Sequence, residues 1–123
     1  MRKDIFVNCS NHPSEGWQDS QKNAALEYGE IVDIPFPNVD SRITNEELDA
    51  LVDDTVNKIM EYKPKAVMLM GEFVTSYKIV NKLKENNIKV LVSVTERNSK
   101  EVKGSDGVIT KTSVFDFKGF REY

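Results

Sequence analysis

The chain has 123 residues, of which 39% are hydrophobic and 30% charged, with a formal net charge of −3. These totals predict one globular domain over residues 1–123 and exclude a disordered chain. The acidic balance argues against sequence-blind binding to long nucleic acid, which needs a strongly positive surface, but permits a small anionic ligand in a local pocket.

No apolar run approaches the ~20 residues of a membrane helix. After the basic start "MRKD", the apolar stretch Ile5 to Val7 is too short for a secretory signal, so a cytoplasmic protein without membrane partners is expected. The single cysteine, Cys9, rules out an intramolecular disulfide. Cys9 and His12 are too few for a zinc site, so no metal or cofactor is expected. Cys9 reads better as a small buried apolar residue than as a reactive thiol.

Ile5-Phe6-Val7 reads as a first buried strand. A polar loop follows, and then a helix over "DSQKNAALEYG". Asp19 or Ser20 is placed to cap it, and Gly29 suits a left-handed position past its end. "EIVDIPFP" is a second strand, stopped by Pro35 and Pro37. Thr44 and Glu47 form a capping box at the start of the clearest helix. There Leu48, Leu51, Val52, Val56 and Ile59 recur at helical spacing.

"KAVMLMG" is a third strand, ended by Gly71, and "EFVTSYKIVNKLKENN" a third helix. "IKVLVSV" is a fourth strand. This alternation predicts an α/β fold of three layers, Rossmann-like, with a mostly parallel sheet. After "TERNS", turn residues Gly104 to Gly107 between extended stretches predict a C-terminal antiparallel hairpin or edge strand. Phe115 and Phe117 alternate as core-packing residues of that edge.

Ligands of an open parallel sheet bind outside the carboxyl ends of its strands. That rule selects Cys9 to Trp17, Pro35 to Asp40, Gly71 to Thr75, and Thr95 to Asn98. In the first segment His12 is a potential general acid or base, or it merely lines a loop whose Ser10 and Asn11 satisfy local backbone groups. In the third, Gly71 allows close approach to the backbone, free N–H groups at the helix start can bind phosphate, and Thr75 adds a hydroxyl. Glu72 there is alternatively just a favourable charge at a helix N-terminus. In the fourth, Arg97 beside Thr95 can fork onto a phosphate or form a surface salt bridge with Glu96 or Glu101. Trp17 either stacks on a base or staples the first helix.

"VNCSNHPS" after the first strand, paired with "MLMGEFVTSY" across the third strand and its helix, resembles the small CRISPR-associated proteins of type III systems. These are Rossmann-like, CARF-like families proposed to act as ring nucleases. "TERN" and "FREY" also look family-like, whereas Met70 stands where a glutamine is expected. The resemblance implies a homodimer that binds cyclic oligoadenylate, with cyclic tetra-adenylate favoured, and degrades it without metal, switching off type III CRISPR signalling. In that chemistry a 2′-hydroxyl attacks the neighbouring phosphate and leaves a 2′,3′-cyclic phosphate. Carried onto this chain, the resemblance makes His12 the base or acid and Arg97 the group that neutralises developing charge. Ser10, Asn11 and the Gly71-Glu72-Phe73 turn would hold phosphate or ribose. The rival expectations are a module that sequesters the ring uncut, another small nucleotide-processing enzyme using Glu72, and a purely structural accessory protein.

Overall fold

A computed structural model of the chain describes residues 3–123. Strands β1 (Ile5–Cys9), β2 (Glu30–Asp33), β3 (Ala66–Leu69), β4 (Lys89–Lys103) and β5 (Ile109–Glu122) form one sheet in the order β2-β1-β3-β4-β5. The first four are parallel neighbours and β5 runs antiparallel to β4. Helices α1 (Asp19–Leu26), α2 (Asn45–Glu61) and α3 (Phe73–Glu85) make the connections. The expected three-layer, Rossmann-like α/β architecture is the one observed.

Side-chain alternation along the strands explains the layers. Val7 and Cys9 on β1 and Val67 and Leu69 on β3 point to one face. There they meet Leu48, Val52, Val56 and Ile59 of α2 and Ile79, Val80 and Leu83 of α3. Phe6, Ala66, Met68 and Leu91 point to the other face, against Trp17 and Ala25. Helix α1 therefore lies alone on its side. The chain leaves β1 toward β2 and, after returning, leaves β3 toward β4. The direction reverses between β1 and β3, the position where open α/β sheets take their ligands.

Thr44 caps α2 as expected: its Oγ1 accepts from the Glu47 N–H at 3.1 Å and donates to Glu47 Oε1 at 2.9 Å. Helix α1 departs from expectation at both ends. Gln18, not Asp19 or Ser20, is the N-cap, and no side chain caps the helix. Gly29 is not left-handed. It is glycine because a Cβ there would sit 2.4 Å from the Asp4 carbonyl oxygen.

The C-terminal third is a hairpin, and it starts earlier than the sequence suggests. β4 continues through "TERNS" to Lys103, so Thr95 to Asn98 is strand rather than loop. β4 pairs with β3 only at Lys89 to Leu91. Beyond that it is held by β5 alone, out to Lys103 opposite Ile109. A bulge sits where Val94 faces Gly119 and Thr95 faces Phe117, leaving Lys118 unpaired. Gly119 absorbs it at φ 140°. The extra residue brings Phe117 and Phe120 into contact, 5.0 Å between ring centroids, with Phe120 stacked 5.4 Å from Phe6. The hairpin is thereby anchored on the α1 face. Tyr123 ties down the chain's end: its hydroxyl donates to the Leu69 carbonyl at 2.8 Å.

Candidate functional site

The loop between β1 and α1 is organised by a buried asparagine. Asn8, 1% exposed, donates through Nδ2 to the His12 carbonyl at 2.9 Å and to Asp33 Oδ1 at 3.0 Å. Its Oδ1 accepts from the Ser10 hydroxyl at 2.7 Å. Ser10 Oγ in turn accepts from the His12 N–H at 3.2 Å. Trp17 Nε1 donates to the same His12 carbonyl at 3.1 Å. Asp33, at the end of β2, accepts from both the N–H and the hydroxyl of Ser14, each at 3.1 Å. The backbone of His12 is thus fixed at both its N–H and its carbonyl. Its imidazole is exposed and, among the described residues, makes no hydrogen bond.

His12 stands on the wall of a cavity of about 560 Å³ on the α1 face of the sheet. Met68, Met70 and Ser93 line it from β3, its C-terminal end and β4, with Ser93 Oγ 3.1 Å from Met70 Sδ. Trp17 walls one side, and Thr95, Phe115 and Phe117 of the hairpin wall the other. The volume falls within the ~300–1,000 Å³ usual for small-ligand sites, and the mostly apolar lining with a few polar groups is typical of them.

Gln18 holds the hairpin wall in place. Its side-chain amide donates to the Phe115 carbonyl at 3.1 Å and accepts from the Phe117 N–H at 2.9 Å. A single side chain so pairs with the outer edge of β5 as a neighbouring strand would. Of the expected core-packing pair, Phe117 is half-buried against Phe120, whereas Phe115 is 61% exposed; both line the cavity.

The two sequence segments picked out as one site are not brought to one cavity. Gly71, Glu72, Phe73 and Thr75 all lie outside its lining. Glu72 is the N-cap of α3: its carboxylate accepts from the Val74 N–H at 2.6 Å, and from the Thr75 N–H at 3.3 Å and hydroxyl at 3.1 Å. The amides that a phosphate would use are already taken, and by a negative charge. Gly71 is needed for Phe36, since a Cβ there would lie 2.5 Å from three ring atoms. Phe73 is 90% exposed and Thr75 fully buried.

Ser10 serves the loop network rather than standing free. Asn11 is exposed beside it. Trp17 is buried, meeting Phe6 edge-on at 6.4 Å while also facing the cavity. Arg97 shares a ribbon face with Phe115, directly opposite it in register. Its guanidinium donates to Ser113 Oγ at 3.0 and 3.2 Å. Neither Glu96 nor Glu101 is its partner; they pair with Lys118 and Lys111. Asn8, Gln18, Gln21 and Ser93 were not singled out by sequence. Asn8 alone left a signal, as a polar residue inside an apolar run.

Cys9 is fully buried, and burial pushes its thiol from 9.0 up to about 12. It is therefore inert as a nucleophile at neutral pH. The folded thiol holds its proton more tightly than the unfolded one. Its contribution to stability is intact below about pH 9 and drains away as pH climbs through the folded value near 12. At about pH 10.5 the loss amounts to roughly 2 kcal/mol. Urea unfolding at about pH 8 and pH 10.5 should show that increment in the wild type and not in Cys9→Ala. Tyr123, whose hydroxyl burial also pushes up, is common to both proteins. An equal alkaline loss in the two would show that Cys9 is not the source.

A family model described as "Uncharacterized protein MJ1673 family" matches residues 4–121. No curated protein matches the chain.

Proposed function

The chain belongs to the uncharacterized protein MJ1673 family, and for it we propose the binding and metal-independent opening of cyclic oligoadenylate, the signal of type III CRISPR systems. The observation that carries this reading is the aromatic-walled cavity on the α1 face of β3, β4 and the hairpin, with His12 at its edge. The exposed Phe115 and the half-buried Phe117 offer rings on which a nucleobase stacks, an interaction worth about 1–3 kcal/mol per base. One cavity accommodates one nucleoside unit, so a homodimer would present two cavities to a single ring.

The chemistry needs no group from outside the protein and its ligand. The 2′-oxygen attacks the adjacent phosphorus as its proton leaves, and the bond from phosphorus to the 5′-oxygen breaks. The departing 5′-oxygen takes up a proton. The imidazole of His12 serves as the acid or base for one of these transfers. Holding the attacking oxygen in line with the leaving oxygen supplies much of the rate.

Sequestration without cleavage is the second reading. It is favoured by the lining of the cavity, in which His12 is the one ionisable side chain among the described residues. Glu72 has no part in either reading, because its carboxylate is committed to the amides of α3.

Titration with cyclic tri-, tetra- and hexa-adenylate, followed by Trp17 fluorescence, tests binding directly because Trp17 is the only tryptophan. Incubation without added metal and chromatography then tests cleavage. A saturable signal with linear products ending in 2′,3′-cyclic phosphate is expected, the tetramer binding most tightly. Saturable binding with the ring recovered intact would leave sequestration. No fluorescence change with any ring would remove both readings.

A further inference from the structure

Gln21 lies in the first turn of α1, and 91% of its surface is covered, since its exposure is 9%. It lines the cavity, with its amide against Met68. Among the described residues its amide has a single contact of hydrogen-bond type, from Nε2 to Met68 Sδ at 3.5 Å. A thioether is a weak acceptor, and the amide carries two donors and an acceptor oxygen with two lone pairs. Packing needs no amide here. A leucine or methionine would fill this place beside Met68 with no polar atom to present to the cavity. A buried amide with spare donor and acceptor capacity, facing a cavity walled by aromatic rings, is what a ligand with a planar polar edge requires.

We infer that Gln21 is the specificity-determining residue of this cavity and reads the polar edge of an adenine base held there. Its amide sets a donor beside an acceptor. Adenine sets its N6 amino donor beside a ring-nitrogen acceptor, the complementary pair. The aromatic walls give stacking that every base shares, and the amide supplies the discrimination that stacking lacks. Gln18, three residues earlier, is already satisfied by the hairpin edge and is not available for this role.

This inference rests on the nucleotide reading above, and the experiment separates the two. Wild type, Gln21→Leu and Gln21→Glu are titrated with cyclic tetra-adenylate and cyclic tetra-guanylate by Trp17 fluorescence, with circular dichroism confirming the fold of each. The wild type should favour the adenylate by about tenfold to a hundredfold, the span of one good bidentate contact. Gln21→Leu should lose most of that preference while keeping the weaker, stacking-driven binding. Gln21→Glu presents two acceptors, which suit the adjacent N1–H and N2–H donors of guanine, and should move the preference toward the guanylate. A preference for adenylate that survives in Gln21→Leu and Gln21→Glu overturns the inference. So does a wild type that binds both rings equally, and in either case the nucleotide reading stands. A wild type that binds neither ring removes both.

Discussion

His12→Ala is expected to leave cyclic tetra-adenylate bound within a few-fold of wild type while slowing its opening by about a hundredfold or more, the usual contribution of a positioned acid or base. The separation of the two effects follows from how the loop is built. The position of His12 is set by its N–H and carbonyl, held by Ser10, Asn8 and Trp17, none of which depends on the imidazole. Removing the ring therefore leaves the cavity and its aromatic walls standing. Single-turnover rates with protein in excess report the chemical step, and Trp17 fluorescence reports binding. A variant that still opens the ring at the wild-type rate would strip His12 of its proposed role. One that loses binding and opening together would place the imidazole in ligand recognition instead.

Arg97 is the natural second subject, because its place on the cavity side of the hairpin is compatible with either reading. The Ser113 hydroxyl that holds it is exposed, so the exchange of Ser113 for a phosphate oxygen costs little. A phosphate oxygen is charged and takes the guanidinium fork with both of its arms.

The parts of the fold that the sequence announces are those whose physics is local. β1 and β3 are short apolar runs buried on both faces, and α2 carries its own cap and its own apolar stripe. The hairpin is different. From Thr95 to Lys103 β4 has one strand neighbour and solvent on most of its surface, so no burial imposes an alternation on its residues. A segment such as "TERNS" then reads as a loop, although pairing with residues 14 to 22 positions later makes it a strand. Phe115 and Phe117 looked like core residues because alternating aromatics usually are. Phe115 is exposed because it lies on the part of the hairpin with no strand beyond β4, while the bulge at Lys118, which no pattern in the sequence marks, turns Phe117 onto Phe120.

The candidate site divides along the same line. His12 was legible because the end of a first parallel strand is a place where chemistry collects. Glu72 offered two meanings, and the bland one holds: a carboxylate one residue before a helix with free amides will cap it. Gln18 and Gln21 were not legible, since their partners are Phe117, 99 positions away, and Met68, 47 positions away.

Asn8→Ala should be the most damaging single truncation in the site. Its amide joins three segments: the end of β1, the loop carbonyl of His12 and Asp33 at the end of β2. Alanine removes all three contacts and leaves the Ser10 hydroxyl only its longer bond to the His12 carbonyl, at 3.3 Å, in a place water reaches poorly. Each lost hydrogen bond costs about 1 kcal/mol. The His12 carbonyl keeps the Trp17 N–H and Asp33 keeps Ser14. The expected loss is therefore roughly 3 kcal/mol, a fall in melting temperature on the order of 10 °C. Ser10→Ala, which removes only the outer strut, should cost about 1 kcal/mol. Because His12 is held through the same amide, Asn8→Ala should also weaken ring binding and slow ring opening at temperatures well below its melting point. Asn8→Asp provides the contrast: it keeps the acceptor for Ser10 but sets a carboxylate against Asp33 and the His12 carbonyl. Its stability should be poor near neutral pH and recover in part as pH falls and a carboxyl proton restores a donor. Melting curves of the three variants across pH, read beside Trp17 titrations, test both halves. An Asn8→Ala protein with the wild-type melting temperature and wild-type ring opening would show that the loop holds His12 by other means.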